Sequence, residues 1–495
     1  MVSSSTPPSD PVSDHNQGQN QQILTPEEST AKIAEQATVV ETAFIRALEA
    51  AELDSHRIWV AFSGGLDSTV LLHLAAGHRH KELFGQLCAI HVDHNIAADS
   101  AAWAEHCAAQ AGQLQVPFTL CKVPADELVG GNLEQRAREA RYRLIAAALS
   151  PDDLLLTAHH RRDQAETVLL QLFRGGGVRG TAAMGELSAQ HGIKLLRPLL
   201  DVDPQALRSY SVYHNLHWIE DPSNQQIVHD RNYLRHQVMP RLRQRLPGID
   251  QALARSARLH AQSSELADDL AAIDLTVAGS TVTKNNLQAE PASITLNCES
   301  LIKLSPHRRS NLLRYWLMQM GYPVPSEIQL RVLQQSLLYS RADRSPVFTW
   351  GSSQVYRYRG ELVASLRSNR SADIATEFWC VERPLLIKEL GWQLSAHSCA
   401  EGPRMKWLPD RPLTVVFRQG GEVMQLHGHH HKLKKLFQEW GVPPGDRQRL
   451  PLIFADQELL AVPGYAVADS VRVTDGGEGW QLSWQAILPK EELPE

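Results

Sequence analysis

Between Arg57 and Arg174 the chain switches repeatedly between two rhythms of apolar spacing. Short β-rich runs, RIWVAFSG, QLCAIHVDHN, PFTLCKV and DLLLTAHH, read as strands. The segments between them, STVLLHLAAGHRH, SAAWAEHCAAQAGQL and NLEQRAREARYRLIAAAL, carry their apolar residues at helical spacing. Such alternation calls for an α/β fold, a parallel sheet covered by helices on both faces. Ligands bind such sheets beyond the carboxyl ends of the strands. The turn SGGLDS and the segments HVDHN and TAHH all fall at such ends, so they are expected to line one crevice.

Past a basic stretch from Asp230 to Arg245, the pattern becomes largely helical in QALARSARLHAQSSELADDLAAI and SPHRRSNLLRYWLMQMG, whose Leu, Trp and Met residues are expected in a core. A linker, RSNRSAD, is expected near Asn369. Beyond it, strand-like pieces (PLTVVFRQGGE, LPLIFADQELLAVPGYAVAD, GWQLSWQAIL) flank a basic helix, HKLKKLFQEWG, giving a small α+β module. The expected division is a disordered tail over 1–28, a catalytic α/β domain over 29–246, a mostly helical domain over 247–368 and an α+β domain over 380–490. No internal repeat is present.

Composition narrows the class. With 495 residues the chain has room for several cores, and at 43% hydrophobic and 21% charged residues it has no apolar run long enough to cross a bilayer. The opening MVSSSTPPSDPVSDHNQGQNQQ has neither a basic head nor an apolar centre, unlike a signal peptide. The six cysteines form no CxxC pair, which argues against a zinc site, a redox dithiol or a disulfide framework and points to the cytoplasm. A net charge of −6 disfavours indiscriminate nucleic-acid binding, while the basic stretch leaves a selective partner open.

The sharpest chemical signal is Ser63, Gly64, Gly65, Leu66, Asp67 and Ser68 between a strand and a helix. This geometry aims backbone N–H groups and the positive end of a helix at phosphate, with glycines permitting close approach. An ordinary tight strand-to-helix turn is the bland alternative. GxxxxGK[ST] does not occur, so no lysine reaches the β- and γ-phosphates and γ-phosphoryl transfer is disfavoured.

SGGLDS resembles the PP-loop of the ATP pyrophosphatases. That resemblance implies cleavage between the α- and β-phosphates of ATP, with Asp67 helping to hold Mg²⁺ on the departing pyrophosphate. Further strings in order, GGNLEQRAREARYRLI, TAHHRRDQAETVLLQLFRGGG, LLRPLL, WIEDPSNQQIVHDRNYLRHQVMPRL, RRSNLLRYWL, PSEIQL and KLKKLFQEWGVPPGDRQRLPLIF, are similar to the tRNA(Ile)-lysidine synthetase family. The likeness covers almost everything after the tail. It implies ATP-dependent joining of L-lysine to the wobble cytidine of a CAU anticodon in an isoleucine tRNA, through an adenylated cytidine. The product, lysidine, changes the tRNA from methionine to isoleucine specificity. Some members of the family are dimers, so a homodimer is possible.

The resemblance assigns residues. Ser63 to Ser68, with His91 near the base, are expected to bind ATP. Asp163 and Glu166, three apart on one helical face, are expected to bind the lysine amino group and to assist proton removal, with Arg231 closing on the lysine or the tRNA backbone. An acidic first turn favoured by the helix dipole is the alternative for the pair. Arg138, Arg235, Arg308, Lys432, Lys434 and Lys435 are expected to meet tRNA, Arg141 to meet an anion or a surface carboxylate, and His94 to border the nucleotide. His429, His430 and His431 are better suited to tRNA phosphate than to a metal. Two departures stand out: Arg162 replaces the first aspartate of the pattern HxxDDQxET, and Gly176 stands where RGSG has serine.

Two rival readings remain. Another PP-loop enzyme, a tRNA thiolase or an amide-forming synthetase, would need paired cysteines or a glutaminase, and neither is evident. A tRNA-binding homologue without turnover is favoured by Arg162 and opposed by the complete PP-loop.

Overall fold

A computed structural model describes residues 26–51, 57–79, 85–94, 99–124, 127, 133–220, 230–282, 293–340, 346–366, 376–387, 392–399, 404–406, 412–442, 447–473 and 479–486. The tail up to residue 25 and the linker RSNRSAD lie outside them. The chain divides into two compact units, Met1–Ser264 and Glu265–Glu495. The boundary between these units falls inside one continuous helix, Ile249–Ala278.

The first unit begins with α1 (Pro26–Ala50), which starts inside the expected tail. The sequence Thr-Pro-Glu-Glu explains this, because proline at the first helical position and acids in the first turn favour a helix start. There follow β1 (Arg57–Ala61), α2 (Leu66–His78), β2 (Gln86–Asp93), α3 (Ser100–Gln113), β3 (Phe118–Lys122), α4 (Leu133–Ala148), β4 (Leu154–Leu156) and α5 (Arg161–Phe173). The unit continues with α6 (Val178–Thr181), β5 (Leu187–Gln190), β6 (Ile193–Leu196), α7 (Pro204–Tyr213), α8 (Asp230–Tyr233), a π-helical turn (Leu234–Val238), α9 (Met239–Arg245) and α10 (Ile249–Ala278), which carries the chain into the second unit.

The sheet order is β3-β2-β1-β4-β6-β5, with β1 parallel to both β2 and β4 and only β5 antiparallel. Both faces are covered. Ile58 and Val60 share one core with Val40 and Phe44 of α1, Leu71 of α2 and Tyr210 of α7, while the alternate residue Trp59 shares another with Tyr142 and Ile145 of α4. Burial on both faces is why these strands read as continuous apolar runs. Chain order reverses between β1 and β4, so a crevice opens beyond their carboxyl ends.

In the second unit, β7 (Gly279–Val282), β8 (Ser293–Asn297), α11 (Cys298–Lys303), α12 (Pro306–Gln319), α13 (Glu327–Leu338), β9 (Val347–Trp350), β10 (Ser353–Tyr358) and β11 (Glu361–Leu366) share one core centred on the fully buried Trp316. The helices expected there are joined by an antiparallel sheet, β7-β8-β11-β10-β9, that the helical reading passed over. Its hairpins turn at Gly351 and at Arg359-Gly360, all with positive φ.

A separate core holds β12 (Glu377–Trp379), β13 (Leu385–Ile387), β14 (Trp392–Cys399), β15 (Leu413–Phe417), β16 (Val423–Leu426), β17 (His429–Lys432), α14 (Leu433–Glu439), β18 (Pro451–Ala455), β19 (Glu458–Val462), β20 (Ala466–Val467) and β21 (Gly479–Ala486). The basic helix starts at Leu433. His431 and Lys432, expected within it, belong instead to the β16–β17 hairpin. Among the described residues no helix is long and apolar enough to cross a membrane.

Candidate active site

β1 runs out at Ala61, and the chain turns through Ser63-Gly64-Gly65 into α2. Gly64 sits at φ +81°, and a Cβ there would come within 2.8 Å of Cys107 Sγ, so both backbone and space require glycine. The turn is tied internally: the Ser63 N–H donates to Ser68 Oγ (3.3 Å), the Ser68 hydroxyl donates to Gly65 O (2.9 Å), and the Ser63 and Ser68 hydroxyls are 3.0 Å apart. From behind, the Ile219 N–H donates to Gly64 O (2.9 Å). His91, near the end of β2, donates through Nδ1 to Phe62 O (2.8 Å) and stacks on Phe118, and burial lowers its pKa. A neutral imidazole therefore buttresses the root of the loop.

On the other side of the reversal point, β4 leads through Thr157 and His159 to His160, the N-cap of α5. His160 and Asp163 close a reciprocal capping box, the His160 N–H donating to Asp163 Oδ2 (3.1 Å). The imidazole also spans the crevice, with Nε2 at 3.6 Å from Asp67 Oδ2 and Nδ1 at 3.3 Å from Asp163 Oδ2. Burial opposes a charge on His160, but Asp163 and Asp67 outweigh it and raise its pKa. Its neighbour His159 has no such pair of carboxylates, and burial holds its pKa down to about 3.

Asp163 and Glu166 are buried, Glu166 completely. The acidic first turn is therefore not a solvated one. Arg231 donates through Nε to Glu166 Oε2 (3.1 Å) and through Nη2 to Asp163 Oδ1 (2.9 Å). Arg235 donates through Nε to Glu166 Oε1 (2.8 Å) and through Nη2 to Asp163 Oδ1 and Glu166 Oε2 (both 2.8 Å). Two guanidinium forks thus answer two carboxylates. Burial alone would raise the pKa of Asp163; His160 and the arginines reverse this and hold its carboxyl well below the ordinary carboxylate range.

Comparison with known proteins agrees with this architecture. The family model for a PP-loop domain matches residues 37–242, that for the TilS substrate binding domain residues 296–363, and that for the TilS substrate C-terminal domain residues 413–484. The tRNA(Ile)-lysidine synthase of Serratia proteamaculans is 38% identical over 88% of this chain and 97% of its own length. The chain belongs to the tRNA(Ile)-lysidine synthase family. Its relative from Coxiella burnetii is 36% identical over 86% of this chain and 92% of its own length. Membership in the tRNA(Ile)-lysidine synthase family makes the protein an ATP-using, tRNA-modifying enzyme.

The remaining expected site residues of this family member have the following surroundings. Arg235, expected on the tRNA, forks onto Glu166 and Asp163, following Arg231 by about one helical turn. Arg138 is exposed and stands over the Tyr142 ring at 5.2 Å, and Arg141 meets His94 Nε2 at 3.0 Å. In the second unit Arg308 forks onto Asp274. Lys432, Lys434 and Lys435 are exposed, with Lys435 Nζ at 3.8 Å from Glu439. His429 and His431 share one side of the β16–β17 hairpin, and among the described residues no group of three or more His, Cys, Asp or Glu is arranged to hold a metal. The sequence reading missed His160. Its only local signal is its place beside His159 at the head of a helix, whereas its bridging position depends on the sheet.

Proposed function

We propose that the protein joins L-lysine to the wobble cytidine of the CAU anticodon of an isoleucine tRNA in two steps in this crevice. In the first, the ring carbonyl oxygen of the cytidine attacks the α-phosphorus of ATP, the bond to the β-phosphate breaks, and pyrophosphate leaves. In the second, the lysine side-chain amine attacks the activated ring carbon, and AMP departs with the former carbonyl oxygen. A deprotonated amine is the nucleophile, so one proton must leave the ammonium first.

The observation that carries this reading is the bridge from Asp67 through His160 to Asp163, which joins a phosphate-binding turn to a buried acidic pair. Ser63, Gly64, Gly65 and Ser68 would hold the phosphates. Asp67 is a half-exposed carboxylate on the first turn of α2, a hard oxygen ligand that would suit Mg²⁺. An ion there would offset charge on the departing pyrophosphate.

Asp163 and Glu166 suit an ammonium, but the depressed pKa of Asp163 makes it an ion-pair partner and a poor base. Because Arg231 and Arg235 already fork both carboxylates, a lysine ammonium must displace guanidinium contacts. A displaced Arg231 would then be available for the lysine carboxylate. The enzyme would act in the cytoplasm.

The test is incorporation of labelled lysine into an unmodified isoleucine tRNA with ATP and Mg²⁺. The native protein should incorporate lysine and Asp67→Ala should not. No incorporation by native protein that still binds the tRNA would refute the proposal in favour of a binder without turnover.

A further inference from the structure

Arg162 is next to Asp163 in the first turn of α5, yet it does not join the Asp163–Glu166 cluster through any described hydrogen bond. Its side chain reaches the start of α10, where Nε stands 3.8 Å from Asp250 Oδ2. That carboxylate is already engaged by Arg243, through Nε to Oδ2 (2.7 Å) and Nη2 to Oδ1 (3.1 Å). Two guanidinium charges therefore share one carboxylate. Arg162 Nε itself is buried and makes no hydrogen bond among the described residues. Asp250 already accepts two hydrogen bonds from Arg243, and a buried donor without a partner of its own costs free energy.

Nε is closed to solvent, but the Arg162 side chain is 35% exposed and that of Arg243 21%, so an acceptor can reach the exposed parts of both. Arg243 forks onto Asp250 from α9, so that carboxylate is already paired before Arg162 approaches it from α5. One additional negative charge would balance the group at two against two.

We infer that Arg162 and Arg243 form an oxyanion subsite beside the first turn of α5, filled during the reaction by a backbone phosphate of the tRNA. This deepens the lysidine reading and rests on it. Guanidinium suits phosphate because its fork matches two oxygens at once. The same chemistry would accept the carboxylate of the lysine substrate, and kinetics distinguish the two sources.

The experiment compares the full-length native protein with Arg162→Ala and Arg162→Lys, varying tRNA and lysine separately in the incorporation assay. For a phosphate, Arg162→Ala raises the KM for tRNA roughly tenfold, Arg162→Lys recovers part of it, and the salt dependence of tRNA binding loses about one phosphate contact. For the substrate carboxylate, the KM for lysine rises instead, and the native preference for lysine over 1,5-diaminopentane, which lacks the carboxylate, disappears in Arg162→Ala. The first result supports the phosphate; the second keeps the oxyanion subsite but overturns the phosphate as its occupant. If neither KM moves while the thermal midpoint falls, Arg162 is only a tie between α5 and α10 and the inference is overturned.

A readout without turnover separates this from failure of the lysidine reading. Inorganic phosphate should raise the thermal midpoint of the native protein more than that of Arg162→Ala, even if native protein incorporates no lysine. Equal shifts would overturn the subsite.

Discussion

At the scale of single residues, the site depends on side chains, or their absence, whose replacement leaves no neutral alternative. Gly64 combines a positive φ with a Cβ position 2.8 Å from Cys107 Sγ. We expect Gly64→Ala to abolish lysine incorporation and to cost about 1–3 kcal/mol of stability in thermal or denaturant unfolding. Adding Cys107→Ala should recover only part of that stability, because it relieves the contact and leaves the backbone strain. Glu166 is a different case: it is fully buried and accepts from both Arg231 and Arg235. Glu166→Gln keeps the shape but removes the charge, so a loss of about 1–3 kcal/mol is expected, moderated because both arginines are partly solvated. Steady-state kinetics should show the KM for lysine rising in the same variant.

At the scale of elements, α2 does more than present Asp67. Its His73 lies against α7, where Nδ1 is 2.9 Å from the Tyr210 hydroxyl and the ring lies 4.8 Å from that of His214. Burial, with smaller contributions from His214 and His78, lowers the His73 pKa from 6.5 to about 4. The unfolded chain therefore takes up a proton here that the folded chain resists. Stability from this group is complete above pH 6.5, is lost as pH falls toward 4, and falls no further below that. Melting curves across this window should show the decline, and His73→Leu should flatten it. A π-helical turn carries the other half of the site: Arg231 lies just before it in α8 and Arg235 within it, and such turns recur at functional positions.

At the scale of the whole molecule, a net charge of −6 must coexist with a polyanionic substrate, so binding depends on local basic groups. The exposed Lys432, Lys434 and Lys435 in the second unit are such a group. Replacing all three with alanine should weaken tRNA binding and lower the slope of log K against log salt by about two phosphate contacts. The loss should approach two rather than three because Lys435 already faces Glu439. The KM values for ATP and lysine should stay unchanged, which a filter-binding salt series and initial rates together would check.

Local pattern was enough to read the strand and helix order from β1 to α5, the PP-loop and the candidate acidic pair, because each is encoded by residues within a few positions of one another. The bounds that local pattern missed have local causes too: α1 begins at Pro26 on a helix-start signal, and α14 begins at Leu433 because the preceding residues pair with β16. What local pattern does not carry is partnership. Arg231 and Glu166 are 65 residues apart, Arg235 and Asp163 72, and only the return of the chain after α7 brings them together. Likewise β7 to β11 alternate too briefly to announce a sheet until pairing closes their backbone hydrogen bonds. The sequence by itself determined which chemical groups the protein owns and the order in which it presents them. Tertiary structure decided which charges face each other, leaving Arg162 on Asp250 and Arg235 on the acidic pair, because electrostatic partnership depends on distance in space and not along the chain.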